Sequence, residues 1–258
     1  MRRLVFAAVA LGLAGFGSGC RKSAPPVQPE PAVKPSIPSL YALDPATLGA
    51  VSGVVKFLGS APAAVRIDTS ADPGCGGGGV YSEQYAVHDG HLANVYVYVK
   101  SGPSAAMALG SSWNMPVVLD EAGCNFEPHV VAVMVGQRVE FRNDDSVVHA
   151  VRATPSVAGN AAVDVSLSPK GAAQVRIFRK PEVMMPVRCG KHPWMNAYIN
   201  VSPTPFFAVT GEDGKFELRG LPAGEYTLGF VQEKMGERTV TVTVKPQATT
   251  ATDMTYSL

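Results

Sequence analysis

A cysteine, a histidine and a methionine lie within one seven-residue stretch of this chain, as Cys189, His192 and Met195. A thiolate, an imidazole and a thioether form a soft donor set, which suits copper far better than magnesium or calcium. A trigonal copper site with one thiolate needs a second imidazole, and this stretch holds only one. The missing ligand must therefore come from another part of the fold.

The missing imidazole is predicted to be His149. Residues 133–149 have the pattern of a strand, a turn at Gly136, a second strand and then this histidine. A rigid β-scaffold suits such a site, because a geometry acceptable to both Cu(I) and Cu(II) needs little reorganisation when an electron arrives. His149 thus completes a candidate copper ligand set.

These motifs resemble the cupredoxin family, especially its amicyanin-like and plastocyanin-like blue-copper members. The amicyanin-like members share the Cys-x-x-His-x-x-Met spacing followed by a closing strand. The resemblance covers residues 113–203 and implies a Greek-key β-sandwich with one mononuclear type-1 copper site. It implies a weak axial ligand at Met195 and three equatorial ligands, which are His149, Cys189 and His192.

Two positions depart from the family pattern. Ala150 stands where an asparagine is common, so a hydrogen bond near the thiolate is expected to be absent. Lys191 stands where amicyanin-like proteins tend to have proline. Both departures bear on the spectrum and the potential more than on the ligand set.

Each predicted ligand also has an ordinary explanation. Cys189 could be a disulfide partner, His192 a surface residue of a proline turn, and Met195 a core residue. Zinc is a further alternative, but structural zinc sites usually use at least two cysteines and only one is present locally. The joint spacing favours copper over these alternatives.

The elements that must position these residues are predicted to be strands. Beyond residue 47 the apolar segments are short, rich in Val, Phe and Tyr, and bounded by Gly, Pro, Asn or Asp. No window sustains an apolar stripe at helical spacing. The fold class is therefore all-β with two β-sandwiches. The predicted strands are 51–58, 92–100, 130–135, 138–142, 174–178, 198–201, 225–231 and 238–244.

Turn signals support this fold class. Two Asp-Gly pairs, at 89–90 and 213–214, predict tight hairpins. The motifs GEDGKF at 211–216 and LPAGEY at 221–226 resemble the carboxypeptidase regulatory-like, transthyretin-like β-sandwich family. Residues 53–55 and 94–99 look like the opening strands of that family, which carries no catalytic residues here.

The second resemblance implies a discontinuous domain organisation. One regulatory-like sandwich would consist of residues 48–112 and 204–258, interrupted by a cupredoxin domain at 113–203. The alternative is two consecutive domains after an unrelated N-terminal part.

The N-terminal residues 1–20 have the pattern of an export signal, with two arginines, an apolar run too short to span a bilayer, and small residues before Cys20. This ending resembles a bacterial lipoprotein cleavage site, which implies lipid on Cys20 and a location in the periplasm or on the outer cell surface. Residues 21–47 are rich in proline, which favours an extended tether or, alternatively, a disordered leader without a role.

The cysteine count supports a metal-bound thiolate. With Cys20 lipidated, three cysteines remain. In an oxidising compartment an odd number leaves one thiol unpaired, and that thiol needs an explanation. A disulfide between Cys75 and Cys124 and a metal-bound Cys189 account for all three, since neither Cys75 nor Cys124 has a metal-type spacing.

The other histidines are weaker candidates. His88 and His91 flank a tight turn, where an accessory copper site is possible in principle but a plain exposed turn is favoured. His129 follows Pro128 and is expected at a strand edge rather than at a metal.

We expect the protein to transfer single electrons, with a redox partner docking near His192 over an apolar rim of Pro193 and Trp194. A net charge of +1 predicts no attraction to nucleic acid and membrane contact only through lipid. The alternatives are copper sequestration or delivery, and a non-redox adhesion module. An enzyme is not expected, because four protein ligands leave no open metal position for a substrate.

Overall fold

The structure is built almost entirely of strands, which confirms the predicted all-β class. The computed structural model describes residues 43–75, 79–109 and 115–258. The predicted export signal 1–20, Cys20 and most of the proline-rich segment 21–47 lie outside these ranges. Within the described ranges, no helix is long and apolar enough to cross a membrane.

The strands fall into three stretches of the chain. The first contains β1 (Leu48–Phe57), β2 (Val87–His88), β3 (His91–Leu92) and β4 (Tyr96–Ser101), followed by the short helix α1 (Ser104–Met107). The second contains β5 (Val117–Ala122), β6 (Asn125–Glu127), β7 (Val130–Met134), β8 (Arg138–Asn143), β9 (His149–Ala153), β10 (Val163–Leu167), β11 (Gln174–Ile177), β12 (Glu182–Cys189) and β13 (Asn196–Ser202). The third contains β14 (Phe207–Val209), β15 (Lys215–Pro222), β16 (Gly224–Gln232), β17 (Gly236–Val244), β18 (Thr249–Ala251) and β19 (Met254–Tyr256).

The second stretch forms two sheets of its own. One has the order β10-β9-β12-β13-β7 and the other the order β11-β8-β5-β6. The pairs β13–β7 and β5–β8 are parallel, and the remaining neighbours are antiparallel. The inward faces of the two sheets share one apolar core, which includes Phe126, Phe141, Phe178 and Ile199.

The first and third stretches pair with each other across more than a hundred residues. β1 pairs with β15, β18 and β19, whereas β4 lies between β14 and β16. Their two sheets enclose a second core, which includes Phe206, Phe216, Phe230 and Tyr256. The apolar alternation of the strands thus supplies one buried face to each sheet.

The predicted strands correspond to observed ones, with one division. Segment 92–100 is split between β3 and β4, because Asn94 adopts a left-handed φ of 61° that ends the extended backbone. The Asp89-Gly90 pair forms the expected hairpin between β2 and β3, with φ of 49° and 78°.

The second Asp-Gly pair was wrongly interpreted as a hairpin. Gly214 does adopt a left-handed φ of 64°, and the turn closes through its N–H and the carbonyl oxygen of Gly211 at 2.9 Å. However, the flanking strands β14 and β15 belong to different sheets. The turn therefore carries the chain from one layer of the sandwich to the other, a distinction that local turn chemistry does not encode.

Candidate metal centre

Two neighbouring strands of the central sheet place the first two donors side by side. His149 is the first residue of β9 and Cys189 is the last residue of β12. These strands pair antiparallel, with Cys189 opposite Val151. The start of one strand and the end of the other therefore meet at the same edge of the sheet.

The loop after β12 returns His192 to the same place. The N–H of Met195 donates to the carbonyl oxygen of His192 at 3.0 Å, and the N–H of Cys189 donates to that of Met195 at 3.2 Å. These two bonds fold residues 189–195 into a tight loop before β13 begins. Met195 is fully buried in the core that also contains Cys189, and its role as an axial ligand stays a prediction.

Three donor atoms converge at this edge of the sheet. The Sγ atom of Cys189 lies 3.7 Å from Nδ1 of His149 and 3.6 Å from Nδ1 of His192. The two Nδ1 atoms lie 2.9 Å apart. All three residues are buried, and their donor atoms form a group able to hold one metal ion.

Carboxylates on the far side of each imidazole orient both rings. Nε2 of His149 lies 2.8 Å from the carboxylate of Asp145, and Nε2 of His192 lies 3.0 Å from that of Asp72. An acceptor at Nε2 assigns the hydrogen to that nitrogen, so both Nδ1 atoms present lone pairs to Cys189. Lone pairs at 2.9 Å repel each other unless a cation lies between them. This arrangement of carboxylate, imidazole and open Nδ1 is typical of metal-binding histidines.

Electrostatics also favour a neutral, metal-binding imidazole at His149. Burial lowers the pKa of His149, and the hydrogen bond to Asp145 only partly opposes that shift. The hydrogen bond from His192 lowers the pKa of Asp72, which keeps this carboxylate charged. A neutral imidazole at His149 is the form that binds a metal cation.

The thiolate accepts a hydrogen bond despite the departure at position 150. The N–H of Ala150 lies 3.4 Å from Sγ of Cys189. The main chain therefore provides a donor where the absence of an asparagine side chain predicted none. Asn143 instead holds the loop before His149, by donating to the carbonyl oxygens of Val147 and Leu167 at 2.9 and 3.0 Å.

A disulfide lies next to these donors. Cys75 and Cys124 are joined, and Cys189 is the free cysteine of the described residues. Sγ of Cys75 lies 3.8 Å from Nε2 of His192. Two further donor groups in the described ranges, Asp72–Cys75–His192 and Cys124–Asp145–His149, use these bridged sulfurs and cannot act as thiolate sites while the bridge is intact.

The imidazole of His192 is closed off from solvent. Only 3% of its surface is exposed, because Asp72 and Cys75 lie over its Nε2 edge. Docking of a redox partner near His192 stays a prediction, but the contact would be made through Asp72 or through Trp194. The Trp194 ring lies 5.1 Å from the His192 ring, centre to centre.

The remaining histidines lie elsewhere. His88 and His91 face each other across the β2–β3 hairpin and belong to no group of three donors in the described chain. His129 directly precedes β7, an edge strand of its sheet, as expected, and it is buried against Glu233. Sequence reasoning also missed Asp72 and Asp145. The position of Asp145, four residues before His149, is a signal that could have identified it. Asp72 lies 120 residues from its partner His192, so no local signal identifies it.

The donor set fits copper. Separations of 2.9–3.7 Å are those of neighbouring ligands around one ion with bonds of about 2.0–2.3 Å. One thiolate and two imidazoles suit copper, zinc or another transition metal and exclude magnesium and calcium as preferred ions. A nearby methionine, in place of a second thiolate or a carboxylate ligand, favours copper among these.

No protein-family model and no curated protein matches the chain. Part of the chain is similar to solved structures of copper proteins. The Cu-containing nitrite reductase (NirK) from Thermus scotoductus is 26% identical, with 40% of this chain and 27% of that chain covered and a TM-score of 0.31. The chain thus spans about a quarter of the length of that reductase. A Cu(I) amicyanin variant is 22% identical, with 41% of this chain and 98% of that chain covered and a TM-score of 0.31. An oxidised amicyanin variant is 23% identical, with the same coverage and TM-score.

Proposed function

We propose that the protein is a single-electron carrier with one mononuclear type-1 copper site. His149, Cys189 and His192 would be the equatorial ligands and Met195 the weak axial ligand. The observation that carries this proposal is the convergence of one sulfur and two Nδ1 atoms within 3.7 Å of one another. A bound copper ion would supply the one-electron couple.

The chain's own residues would keep reorganisation small. Asp145 and Asp72 hold the two rings in one orientation and one tautomer. The N–H of Ala150 donates to the thiolate, which disperses its negative charge. His149 and Cys189 lie on paired strands, so neither side chain can move far without disrupting the sheet. A site held in this way changes little between two oxidation states.

We propose that no substrate binds to the metal itself and that the centre only passes electrons, so it is not an enzyme active site. Three donors from the sheet edge and Met195 would leave no open position on the metal for a substrate. This differs from catalytic metal sites, which keep such a position.

Copper retention or delivery is a second candidate function. The observation that favours it is the burial of His192 beneath Asp72 and the Cys75–Cys124 bridge, which would slow the release of an ion. The two functions differ in one measurement. An electron carrier cycles its copper reversibly at a potential within reach of respiratory carriers, whereas a retention protein holds Cu(I) tightly without such cycling.

Visible spectroscopy of the copper-loaded soluble chain tests the proposal. A thiolate bound to Cu(II) gives an intense visible charge-transfer band, and Cys189→Ser should abolish it even where copper still binds through the histidines. Met195→Leu should keep the band and raise the potential, because a weak axial donor to the oxidised ion is lost. Loss of colour in Met195→Leu together with its persistence in Cys189→Ser would contradict these roles.

We also propose that the chain is exported and carries lipid on Cys20. The small residues before Cys20 support this, and the Cys75–Cys124 disulfide agrees with an oxidising compartment. Fatty-acid analogue labelling should be lost in Cys20→Ala. Equal labelling of both forms would rule out lipid at this position.

A further inference from the structure

A cleft opens beside Trp194, at some distance from the donor atoms. Its volume is about 420 Å³, within the range of small-molecule sites. The rings of Tyr81, Trp194 and Tyr198 form part of its wall, together with the apolar side chains of Val65 and Ile67. Aromatic and apolar side chains of this kind suit a flat ring.

A buried, hydrogen-bonded pair of His129 and Glu233 forms the polar end of the cleft. His129 and Glu233 each have 2% of their side-chain surface exposed, and Nε2 of His129 lies 2.8 Å from the Glu233 carboxylate. Tyr198 donates its hydroxyl hydrogen to the same carboxylate at 2.7 Å. Although burial opposes the shift, the hydrogen bonds from His129 and Tyr198 lower the pKa of Glu233. Glu233 is therefore an anion that accepts the Nε2 hydrogen.

The other nitrogen of His129 has no partner. Nδ1 is buried, and within the described chain it makes no hydrogen bond. The Glu83 carboxylate lies 3.6 Å from this nitrogen, beyond hydrogen-bond distance, and accepts a hydrogen bond from the Asn125 amide at 2.7 Å. Buried polar atoms are rarely left unpaired, and those that are often mark the place of a missing partner. A single hydroxyl group, which can both donate and accept, could bridge Nδ1 of His129 and the Glu83 carboxylate.

The charge of the cleft argues against an ionic ligand. Arg188 and Lys234 contribute two positive charges, and Glu83 and Glu233 contribute two negative ones. A neutral ligand with aromatic and hydroxyl groups matches both this balance and the walls.

Trp194 connects the cleft to the candidate metal centre. It lines the cleft, lies 5.1 Å from the His192 ring, and is held there by donating Nε1–H to the carbonyl oxygen of Cys124 at 3.1 Å. The Nε2 edge of His192 is itself covered by Asp72. The Trp194 ring therefore lies between the cleft and His192, the candidate metal ligand.

We propose that the cleft binds a neutral single-ring aromatic diol of the hydroquinone class, and that Trp194 carries one electron from it to His192. The electron-transfer part rests on the proposed function, in which Cu(II) is the oxidant. The diol gives up one electron through Trp194 and one proton to the Glu83 carboxylate, which leaves a neutral phenoxyl radical. Two such radicals, once released from the cleft, disproportionate to one diol and one quinone, which requires no further oxidant, and Glu83 returns its proton to water.

Calorimetric titration with hydroquinone tests binding without turnover. We expect saturable one-site binding to the full soluble chain kept reduced with ascorbate. Loss of one hydrogen bond in His129→Gln should weaken binding by about tenfold. His88→Gln, an exposed histidine outside the cleft, is the matched control. Because the buried pair also contributes to the fold, Tyr81→Ala at the exposed wall provides an independent variant, and it should weaken binding as well.

Stopped-flow bleaching of the oxidised, copper-loaded chain by hydroquinone tests the electron route. At saturating hydroquinone, and compared at equal driving force after the potential of each variant is measured, Trp194→Leu should slow bleaching by about tenfold or more, and Trp194→Phe should restore part of the rate. No saturable binding, or binding unaffected by both His129→Gln and Tyr81→Ala, would overturn the cleft assignment. An unchanged rate in Trp194→Leu would overturn the route. Failure to hold copper would refute the proposed function alone, since the titration needs no metal.

Discussion

At the scale of single residues, two carboxylates, one beside each imidazole, determine how the candidate centre presents its donor atoms. Asp145 and Asp72 each hold one imidazole by Nε2, and this leaves both Nδ1 atoms as acceptors facing a thiolate. A histidine pair without such partners would be free to rotate and to protonate at Nδ1. The carboxylates therefore convert three nearby side chains into a directed ligand set.

Substitution of Asp145 tests this positioning role. Asp145→Asn keeps an acceptor but removes the charge, so we expect copper affinity to fall by about 10–100-fold. Competition with a copper chelator measures the change. Asp164→Asn, on an exposed strand, should leave the affinity unaltered, and an equal effect of both variants would contradict the role.

Glu121 is a buried carboxyl group with a strongly shifted pKa. Burial, reinforced by the nearby charges of Asp145 and Asp120, raises its pKa to about 8. Neither carboxyl oxygen has a hydrogen-bond partner among the described residues. The folded chain therefore retains a proton that the unfolded chain releases near its ordinary pKa of 4.5.

The sign of the pH effect follows from this difference. Stability falls as pH rises from about 4.5 to 8, because the unfolded state binds fewer protons in that window. Glu121→Gln removes the titration, so its free energy of unfolding should exceed that of the unmodified chain by more at pH 8 than at pH 5. Urea denaturation at both values measures it, with the exposed Glu127→Gln as control. An equal difference at both pH values would disprove the raised pKa.

Strand β1 is the central element of the discontinuous part of the fold. It pairs antiparallel with β15 and parallel with β18 and β19. The chain between β18 and β19 crosses close to β1, where the N–H of Thr252 donates to the carbonyl oxygen of Ser52 at 2.9 Å. Gly53 permits this approach, since a Cβ there would collide with the carbonyl oxygen of Thr252.

We expect Gly53→Ala to destabilise the fold, because the obstacle is main chain and cannot rotate away. Overpacking of this kind costs about 1–3 kcal/mol. Chemical denaturation measures the loss, and Ser52→Ala in the same strand is the control. Comparable stability of both variants would mean that the connection between β18 and β19 can shift to accept the added Cβ without loss of stability.

At the scale of the whole molecule, we propose that residues 48–112 and 204–258 form one sandwich around an inserted domain at 113–203. Pairing of β1 with β15 and of β4 with β14 supports this organisation. The Cys75–Cys124 disulfide then joins the two domains beside the candidate centre.

Removal of this bridge should destabilise the molecule. It connects residues 49 positions apart, so the chain-entropy model gives about 4 kcal/mol as the loss for the Cys75→Ala, Cys124→Ala double variant. Thermal and urea unfolding measure this loss. Without the bridge, the segment that contains Asp72 and residue 75 is no longer tied to residue 124. His192, which this segment covers, should therefore become more exposed. Unchanged stability would mean that contacts between the sandwiches hold the covering segment without the disulfide.

The sequence by itself determined the features that are encoded locally. Short apolar segments between turn residues indicated an all-β fold, because strand alternation and left-handed turn positions depend on near neighbours. The Cys-x-x-His-x-x-Met motif could be identified for the same reason, since three of the candidate ligands lie within one short segment of the sequence. His149 required only the expectation that two strands pair.

Only the tertiary structure decided which distant groups complete the site. Asp72 reaches His192 across 120 residues, and Glu233 reaches His129 across 104. It also decided that the Asp213-Gly214 turn joins two sheets, and that His192 is covered while Trp194 faces a cleft. Such contacts are set by how two apolar cores pack together, and no periodicity or spacing along the chain records that packing.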